Sequence, residues 1–474
     1  MRVLGIDLGT GSTKAAVVDE RGEIRGLGTA PHRVEQPAPG AAEIAPSVWL
    51  SSVVTAVGDA LAGAGAGRIE AVGLSGQMHG VVCTAADGTP VRPALLWTDT
   101  RATAACARYA NLPFAVRRNL GNPPAPGMFG PLVATAIEGD PGLRRRIRWA
   151  VSPKDWLRLA LTGAPATEPS DASATLLWDV SADTWSSAVL DLLDIPAGWL
   201  PPVVASESMA GTLTADGGDL LGLPVGTPVA AGAADTAAAL HGSGLAAGGA
   251  QVSVGTGGQV IVPLSDPTLS DTPVTHRYRR ATASGWYAMA AIQNAGLALE
   301  WVRDVLHADW AEVHGALDDV APGADGVTFH GYLTGERTPV LDPHVRAAWQ
   351  GLALRHGRAA LLRAALEGVA FALRDGLEAL IDEGIAIDTV HLVGGGTDDP
   401  RWRSLLATTL ARPLHVRAIA HVSVVGAARL AAAAVGGHVP TADHIADIIV
   451  VDPDAATVGP TEAAWRRWRE RRPT

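Results

Sequence analysis

Two aspartates stand at places in the sequence where a carboxylate could do chemistry. Asp7 comes just before the turn Gly9-Thr10-Gly11, and Asp235 lies among small apolar residues in the segment GAADTAA. A glycine-rich turn lets backbone amides approach an anion such as phosphate closely. A carboxylate there would repel the anion, and a bridging Mg²⁺ reconciles the two because this ion binds few carboxylates and retains waters. The alternative for Asp7 is a carboxylate that stabilises the turn.

The glycine turn occurs a second time, as Gly255-Thr256-Gly257, about half the chain length later. A P-loop does not explain either turn, because it needs lysine after glycine and neither Lys14 nor Lys154, the only lysines, follows one. A dinucleotide-binding turn joins a strand to a helix, whereas each of these turns joins two predicted strands. What remains is a phosphate cradle at a hairpin turn, one in each half of the chain.

A third stretch, SGQMHG at residues 75–80, follows an apolar run and places Met78 and His79 between glycines. It is either the end of a buried strand whose last side chains fill the core, or a strand that ends in a pocket. Taken alone, the histidine is more often structural. Other segments of the sequence are needed to distinguish the core interpretation from the pocket interpretation.

The bulk properties restrict the classes of protein. A chain of 474 residues with 47% hydrophobic and 18% charged residues is expected to form two globular domains. No predominantly apolar stretch runs for about 18 residues without a charge, so a soluble protein with no membrane partner is predicted. Asp7 comes too early for a secretory signal, which favours the cytoplasm. The net charge of -11 argues against a nucleic-acid partner.

The elements that must position these residues follow from the periodicity. The first residues read as three strands, a helix from 47 to about 62 and a further strand, and residues 250–263 read as a second strand-turn-strand unit. Later segments alternate strands and helices, with a long helix from about 358 to 384, so an α/β fold is expected. The repeated turn predicts duplicated domains, 1–230 and 231–474. Cys83 and Cys106 are interpreted as core thiols.

Ten segments, taken together, resemble the FGGY family of carbohydrate kinases, and within it the xylulokinases. They occur in the family's order over nearly the whole chain: GIDLGTGSTK, SGQMHG, LLWTDTR, PKDWLRLALTG, SDAS, GAADTAA, SVGTGG, YLTGERTP, LEGVAFAL and LVGGG. The resemblance implies two duplicated actin-like, ribonuclease-H-like ATPase domains with a cleft between them. It also implies ATP and Mg²⁺ as cofactors and transfer of the γ-phosphoryl group to a sugar hydroxyl, with D-xylulose giving D-xylulose 5-phosphate.

The resemblance also assigns roles to residues. Asp235 matches the catalytic carboxylate, and phosphoryl transfer does need a group that orients the attacking hydroxyl and removes its proton. A helix cap before TAAAL is the alternative for Asp235, and the two roles can coexist. Asp7 is assigned to the metal. The phosphate and adenosine contacts fall on Gly9, Thr10, Gly11, Thr13, Gly255, Thr256, Gly257, Gly394, Gly395 and Gly396, for which a tight strand-to-helix turn is the alternative at the last three.

On the sugar side the resemblance assigns Met78, His79, Asp99 and Thr236. An internal salt bridge between Asp99 and Arg101 is the alternative for that pair. The chain departs from the usual xylulokinase pattern at Thr98 and Thr236, where asparagine is common, and at Leu132, where lysine is common. A kinase for another ketose, a polyol or a sugar acid therefore stays open.

A non-enzymatic actin-like ATPase is the alternative of another class, and no basic helix-turn-helix segment or appended module supports it. The predicted partner is a small-molecule sugar. The sequence leaves a homodimer open and does not settle the oligomeric state.

Overall fold

The computed structural model describes residues 1–417, 421–441 and 448–473. Within them the chain forms 22 strands and 16 α-helices. Four short 3₁₀ helices lie at Arg108–Asn111, Ala197–Trp199, Ala324–Gly326 and Gly395–Thr397. The alternation of strands and helices is the α/β class that the sequence predicts.

Up to residue 244 the helices are α1 to α10 and the strands are β1 to β13. The helices are Pro46–Ala64 (α1), Thr103–Ala107 (α2), Phe114–Asn119 (α3), Phe129–Gly139 (α4), Leu143–Arg146 (α5), Pro153–Thr162 (α6), Pro169–Ser173 (α7), Ser187–Leu193 (α8), Ala215–Leu221 (α9) and Asp235–Ser243 (α10). The strands are Arg2–Leu8 (β1), Ser12–Asp19 (β2), Ile24–Pro31 (β3), Glu43–Ile44 (β4), Val72–Gly76 (β5), Val82–Thr84 (β6), Ala94–Leu95 (β7), Trp149–Val151 (β8), Trp178–Asp179 (β9), Thr184–Trp185 (β10), Met209–Thr212 (β11), Pro228–Ala230 (β12) and Ala233–Ala234 (β13).

After residue 244 the elements continue in the same way. The helices are Gly296–Val305 (α11), Trp310–Asp319 (α12), Arg358–Asp382 (α13), Pro400–Leu410 (α14), Val422–Ala434 (α15) and Val458–Glu470 (α16). The strands are Gly249–Val254 (β14), Gly258–Leu264 (β15), His276–Arg279 (β16), Trp286–Ile292 (β17), Thr328–His330 (β18), Ala348–Gln350 (β19), Thr389–Val393 (β20), Leu414–Arg417 (β21) and Ile448–Val451 (β22).

The chain divides into two compact units. Unit 1 contains the described residues of Met1–Gly244, Arg277–Trp286 and His421–Ile445. Unit 2 contains the described residues of Leu245–His276, Tyr287–Ala420 and Ala446–Thr474. The sequence-based boundary between residues 230 and 231 stays a prediction about where the two duplicated halves meet.

Each unit is built on a mixed sheet, and the two sheets have the same order. In unit 1 the strands run β3-β2-β1-β5-β12-β11, and β13 also pairs with β5. In unit 2 they run β17-β15-β14-β20-β21-β22. In both sheets the hairpin is antiparallel, the next two pairs are parallel and the last pair is antiparallel. The shared topology confirms the duplicated α/β domains that the repeated turn predicts.

Helix α15 belongs to unit 1, although more than 170 residues separate it from α10. It packs against α10 and against β1 and β5 of the sheet. The fit is close because β5 carries a glycine where the helix passes: a Cβ on Gly73 would lie 1.8 Å from the carbonyl oxygen of Ala427. Local periodicity predicts a helix near 424–436, and only the structure shows which sheet it covers.

Helix α1 is the one helix among the described residues that is long and apolar enough to cross a membrane by length and composition. It begins with proline in its first turn and ends at Ala64, with Gly65 as the C-cap residue. Its buried face has helical spacing, as expected for a helix on a sheet, with Trp49, Val53, Ala56, Val57 and Ala60 pointing inward. It packs against β2 and β3 of unit 1. Within this fold α1 is therefore a core helix.

Candidate active site

Three parallel strands of unit 1 end side by side, and their ends carry the polar residues of the candidate site. In the register of β1 and β5, Asp7 lies opposite Ser75. Strand β13 pairs with β5 so that Ala234 lies opposite Gly76. Asp235 follows directly as the first residue of α10. The sheet therefore brings together Asp7 and Asp235, which are more than 220 residues apart in the chain.

Asp7 is held by a neighbouring hydroxyl. The Ser75 hydroxyl donates to Asp7 Oδ1 at 3.0 Å. Burial raises the pKa of Asp7, while the Ser75 hydroxyl and the Lys14 ammonium oppose the rise. The side chain is only partly buried. A carboxylate in this position favours a cation that can offset the cost of its burial.

Asp235 has the most informative environment in the site. Its Oδ1 accepts hydrogen bonds from the Thr236 backbone N–H at 2.6 Å and from the Thr236 hydroxyl at 3.2 Å. Burial raises the pKa of Asp235 to about 7, the Asp7 carboxylate adds to the rise, and the two Thr236 bonds oppose it. Among the described residues no hydrogen bond reaches Asp235 Oδ2. A carboxylate with a pKa near neutrality and an open oxygen is suited to general-base chemistry.

A helix cap is the alternative role that the sequence allows for Asp235. In the structure the N-cap residue of α10 is Ala234, and it makes no side-chain cap bond. Among the described residues, the only backbone N–H that donates to Asp235 is that of Thr236. The carboxylate therefore stands in the first helical turn, where the helix dipole favours negative charge.

The donor set at these strand ends fits Mg²⁺. Two carboxylates lie close enough for Asp7 to raise the pKa of Asp235, so a divalent cation between them would relieve their repulsion. Mg²⁺ prefers hard oxygen ligands and keeps most of its waters, so it needs no larger cage. The described residues contain no cluster of three or more acidic, histidine or cysteine side chains that would suggest another metal.

The turn after β1 has its carbonyl oxygens satisfied by the protein and two of its amides open. His32 Nε2 lies 3.1 Å from the carbonyl oxygens of both Gly9 and Thr10. Because carbonyl oxygens only accept, Nε2 must carry the proton. Gln77 Nε2 also donates to Gly9 O at 3.2 Å. Within the described part of the chain, the N–H groups of Thr10 and Gly11 have no acceptor, so both can donate to an anion.

Two further side chains of this turn differ in their surroundings. The Thr10 hydroxyl accepts from Trp97 Nε1 at 2.9 Å and is partly exposed. Thr13 is fully buried, with its hydroxyl 2.7 Å from that of Ser52. The structure therefore places the Thr10 side chain on the open side of the turn and the Thr13 side chain in the interior, against Ser52.

Met78 and His79 form the tight turn that ends β5. The Gly80 N–H donates to Met78 O at 2.8 Å across His79, whose φ of 69° is unusual for a residue with a side chain. His79 Nδ1 lies 2.8 Å from Ala174 O, and the ring lies 5.7 Å from that of Tyr278. Both side chains are buried. Backbone strain of this kind often accompanies functional sites.

Asp99 forms the internal ion pair that the sequence left open. Arg101 binds both of its oxygens, with Nε at 3.1 Å from Oδ1 and 3.0 Å from Oδ2. The Ala42 N–H donates to Oδ2 at 3.0 Å, and Glu43 also contacts Arg101. Asp99 is only 1% exposed. The pair holds the loop that carries Trp97 and Thr98 against β4.

The equivalent turn of unit 2 is supported by backbone N–H groups. The N–H groups of Ala295, Gly296 and Leu297 donate to the carbonyl oxygens of the turn: Gly296 N to Gly255 O at 2.8 Å, and Ala295 N and Leu297 N to Thr256 O at 3.2 and 3.0 Å. Among the described residues the N–H groups of Thr256 and Gly257 find no acceptor. Unit 2 therefore presents the same pair of open amides.

A cavity of about 420 Å³ adjoins this turn within unit 2. It is lined by Val254, Gly255, Thr256, Gly296, Leu299, Glu300, Trp310, His314, Gly396, Asp398 and Asp399. Gly394 has a φ of 104°, and a Cβ on Gly396 would lie 2.8 Å from Val254 O. The glycines after β20 thus lie against the end of β14. The volume and the mixed apolar and polar lining are typical of a small-molecule site.

Comparison with known proteins decides the family. The N-terminal domain of the FGGY family of carbohydrate kinases matches residues 2–242, and the C-terminal domain of the same family matches residues 250–435. The chain belongs to the FGGY family of carbohydrate kinases. It is therefore a phosphotransferase of a family that uses ATP as phosphate donor.

Individual relatives of this FGGY kinase cover nearly all of it. The xylulose kinase of Escherichia coli (strain K12) is 33% identical over 436 residues, which are 90% of this chain and 89% of that protein. The solved structure of the xylulose kinase from Rhodospirillum rubrum has a TM-score of 0.90 at 26% identity and covers 99% of this chain and 98% of its own. A gluconate kinase from Lactobacillus acidophilus, 22% identical over 99% and 97% of the two chains, shares the fold with a TM-score of 0.91.

Several residues of the FGGY kinase site were not identified from the sequence. His32 comes 22 residues after Thr10 and belongs to no motif. Trp97 and Gln77 lie within the segments LLWTDTR and SGQMHG, and the resemblance assigns a role to neither of them. In unit 2, Trp310 and His314 line the cavity with stacked rings 5.9 Å apart. Their spacing on one helix face was the only signal, and such spacing is common in cores.

Proposed function

We propose that this FGGY kinase transfers the γ-phosphoryl group of ATP to a hydroxyl of a ketopentose, D-xylulose, and forms D-xylulose 5-phosphate. The support has two parts. Relatives that align over about nine-tenths of the chain are named xylulose kinases. The strand ends of unit 1 carry a carboxylate suited to deprotonating an alcohol. The single observation that carries the proposal is the open oxygen and raised pKa of Asp235.

Asp235 is the proposed general base. As the sugar oxygen forms its bond to the γ-phosphorus and the bond from that phosphorus to the bridging oxygen breaks, the hydroxyl proton moves to Asp235. A pKa of about 7 lets the carboxylate be ionised before transfer and accept the proton late, when the attacking oxygen has become acidic. The two Thr236 bonds hold Oδ1 in place, so Oδ2 is left for the substrate.

The open amides of each turn, Gly9-Thr10-Gly11 within unit 1 and Gly255-Thr256-Gly257 within unit 2, are proposed to bind phosphate oxygens. Asp7 is the proposed protein ligand of Mg²⁺, with its Oδ1 oriented by Ser75. When bound, Mg²⁺ neutralises charge on the phosphate oxygens. The role predicted for Thr13 reduces to its backbone, because the side chain is buried on Ser52.

The adenosine is proposed to occupy the cavity of unit 2. Gly396 and Trp310 line this cavity, and Gly394 and Gly396 lie close to the backbone of Val254. The adenosine contacts predicted at Gly394, Gly395 and Gly396 are proposed to lie on this side of the cavity. The lining is largely uncharged apart from three carboxylates, which suits a neutral base and ribose better than a phosphate. This assignment separates base binding from phosphate binding within the unit.

Met78, His79 and Thr236 are the proposed sugar contacts, and Asp99 supports the neighbouring loop through Arg101. Thr236 is also the observation that favours a second candidate, a kinase for another ketose, a polyol or a sugar acid. A threonine hydroxyl is shorter than the asparagine amide usual in xylulokinases and offers one donor instead of two. Leu132, another departure, is buried in a hydrophobic core of unit 1.

The cytoplasm is the proposed location, and a small-molecule sugar is the proposed partner. A homodimer stays a prediction that light scattering on the purified chain can test. The amino-acid composition, with 37 basic and 48 acidic residues, supports a protein that does not bind nucleic acid.

A substrate panel tests the proposed function. Purified enzyme is assayed for ADP release with D-xylulose, D-ribulose, ribitol, gluconate and glycerol at equal concentrations. The proposal predicts the highest kcat/KM for D-xylulose and a further gain in its selectivity for Thr236→Asn. If another compound exceeds D-xylulose by about ten-fold, the second candidate replaces the first, since about 1.4 kcal/mol separates them at that ratio.

A further inference from the structure

Five charged side chains form a cluster inside unit 1 that the proposed reaction does not contact. They are Lys154, Asp155, Arg158, Glu168 and Asp171, each at most 3% exposed. Lys154 Nζ lies 2.6 Å from Asp155 Oδ1 and 3.2 Å from Asp171 Oδ2, and Arg158 Nη1 lies 2.8 Å from Asp155 Oδ1. Buried ion pairs often add little to stability, because desolvation offsets their attraction. Stability alone is therefore a weak reason for this cluster.

The charges of the cluster are balanced near neutral pH. Burial raises the pKa of Asp171 to about 8; the Lys154 ammonium opposes the rise, and the carboxylates of Asp155 and Glu168 add to it. Burial lowers the pKa of Lys154, but the three carboxylates outweigh it and leave the pKa raised. With Asp171 protonated, two cations face two carboxylates.

The cluster makes hydrogen bonds to the backbone segment that precedes Asp235. Arg158 Nη1 donates to Ala231 O at 2.8 Å, and Lys154 Nζ donates to the same oxygen at 3.3 Å. At the other end of this segment the Ala234 N–H donates to the Ser170 hydroxyl at 2.9 Å. Residues 231–234 are thus held at both ends, and Asp235 is the next residue.

Ser170 connects the segment to the acidic part of the cluster. Its hydroxyl donates to Glu168, at 2.7 Å from Oε1 and 2.9 Å from Oε2. Glu168 in turn caps α7 by accepting from the N–H groups of Ser170 and Asp171. An accepted and a donated bond at one hydroxyl fix its direction, and a charge-assisted bond is stronger than a neutral one. The Ala234 amide is therefore held by the Glu168 carboxylate through two successive hydrogen bonds, with the Ser170 hydroxyl between them.

We propose that Ser170, with Glu168 and Lys154 behind it, is a positioning residue for Asp235. This inference rests on the proposed function, in which Asp235 is the base. Ser170 touches neither substrate nor proton in this scheme. It keeps the first turn of α10 in place, so that the open oxygen of Asp235 meets the attacking hydroxyl. Small displacements of a catalytic group have large effects on rate and small effects on ground-state binding.

The experiment compares two buried serines that share one partner. Ser170→Ala removes the acceptor of the Ala234 N–H and one hydrogen bond to Glu168. Ser206→Ala removes a hydroxyl that donates to the same Glu168 carboxylate at 2.7 Å. Within the described part of the chain, the Ser206 side chain makes no hydrogen bond to residues 231–234. Both changes delete one oxygen from a buried side chain. Comparing the two variants therefore separates the loss of a hydrogen bond to Glu168 from the loss of the hydrogen bond to the Ala234 N–H.

Ser170→Ala is expected to lower kcat about ten-fold, with both KM values within about two-fold of wild type, because positioning acts on the transition state. The low-pH limb of kcat should also shift, since that limb reports the base in the substrate complex. Ser206→Ala should change kcat less than about two-fold. All rates are measured at a temperature where circular dichroism shows both variants folded.

Equal kcat values for the two serine variants, or an unshifted low-pH limb in Ser170→Ala, would overturn the inference. Asp235→Ala is assayed in parallel to keep the two proposals apart. If Asp235→Ala keeps its activity, the base assignment fails, whatever the serines show. If Asp235→Ala is inactive and Ser170→Ala is normal, the base stands and the positioning role of Ser170 is wrong.

Discussion

The two hairpin turns of this FGGY kinase share the sequence Gly-Thr-Gly but are built by different means. Both leave two consecutive amides open, at Thr10 and Gly11 in unit 1 and at Thr256 and Gly257 in unit 2. In unit 1 the turn carbonyls are satisfied by the side chain of His32. In unit 2 the N-terminal amides of α11 do the same work. Duplicated halves can therefore keep an anion-binding turn while changing what supports it.

The residue two positions before each turn differs as well. Unit 1 has Asp7 and unit 2 has Ser253. Unit 1 therefore carries charge beside its open amides, and the proposed metal and base lie there. Unit 2 has a cavity of about 420 Å³ instead, with glycine against backbone. Unit 1 depends on electrostatics and side-chain bonds, and unit 2 on close steric fit, so different substitutions should damage them.

The largest effect on the unit 2 turn is expected from Gly296→Ala. The new Cβ would lie 2.4 Å from Gly255 O, so the turn or the start of α11 must move. We expect kcat/KM for ATP to fall about 100-fold, the scale of a displacement near 1 Å. Gly315→Ala, whose nearest contact would be 3.9 Å away, is the control in the same unit. Equal kinetics for the two variants would contradict the steric account.

Asp7→Asn is expected to have the next largest effect. Loss of the carboxylate should raise the Mg²⁺ concentration for half-maximal activity about ten-fold or more, in line with about 1.5–3 kcal/mol for a charged interaction. Ser253→Ala, at the equivalent position in unit 2, should leave the Mg²⁺ titration unchanged. An Asp7→Asn titration that matches wild type would remove Asp7 from the metal site.

His32→Ala should weaken the unit 1 turn through its carbonyls. Thr10 O would lose its only hydrogen-bond donor among the described side chains, and about 1 kcal/mol for such a bond corresponds to about a five-fold rise in the KM for ATP. His32→Gln places an amide N–H near the Nε2 position and should restore most of the loss. If glutamine and alanine behave alike, the support of the turn does not come from this hydrogen bond.

The smallest effect is a gain in stability. The pKa of Asp235 in the folded protein is raised to about 7 from an ordinary 3.8. Ionising this carboxylate therefore lowers the free energy of unfolding. This loss of stability is complete above pH 7 and absent below about pH 4. Asp235→Asn should therefore raise Tm at pH 8, by about 2–4 °C for each kcal/mol, and leave it nearly unchanged at pH 4. A gain of equal size at both pH values would argue against the electrostatic origin.

The sequence predicts the repeated hairpins, the long helix near 358–384 and the end of β5 correctly, because each is a local pattern of apolar residues and glycines. It also identifies Asp7 and Asp235 as candidate site residues. The structure places both at adjoining strand ends of unit 1, and their roles stay predictions. It leaves Asp99 between two roles, and the structure shows the ion pair with Arg101. Short-range sequence patterns therefore predict these local elements of the fold.

Contacts over long sequence distances were not predictable in the same way. No spacing indicates that His32 lies under the first turn, that α15 returns to the sheet of unit 1, or that Ser170 accepts from Ala234. These contacts depend on how elements pack, and a single sequence does not contain that information in a local form. The burial of the Thr13 hydroxyl against Ser52 is another contact of this kind, and the predicted contact of Thr13 with phosphate stays a prediction.

The central claim is tested most directly by the turnover of Asp235→Ala on the best sugar of the panel. With saturating ATP, Mg²⁺ and sugar, kcat should fall about 10²- to 10⁴-fold, the usual range for a positioned acid or base, while the variant keeps the circular dichroism spectrum of wild type. Near-normal turnover by the folded variant would show that another group removes the proton and would contradict the account.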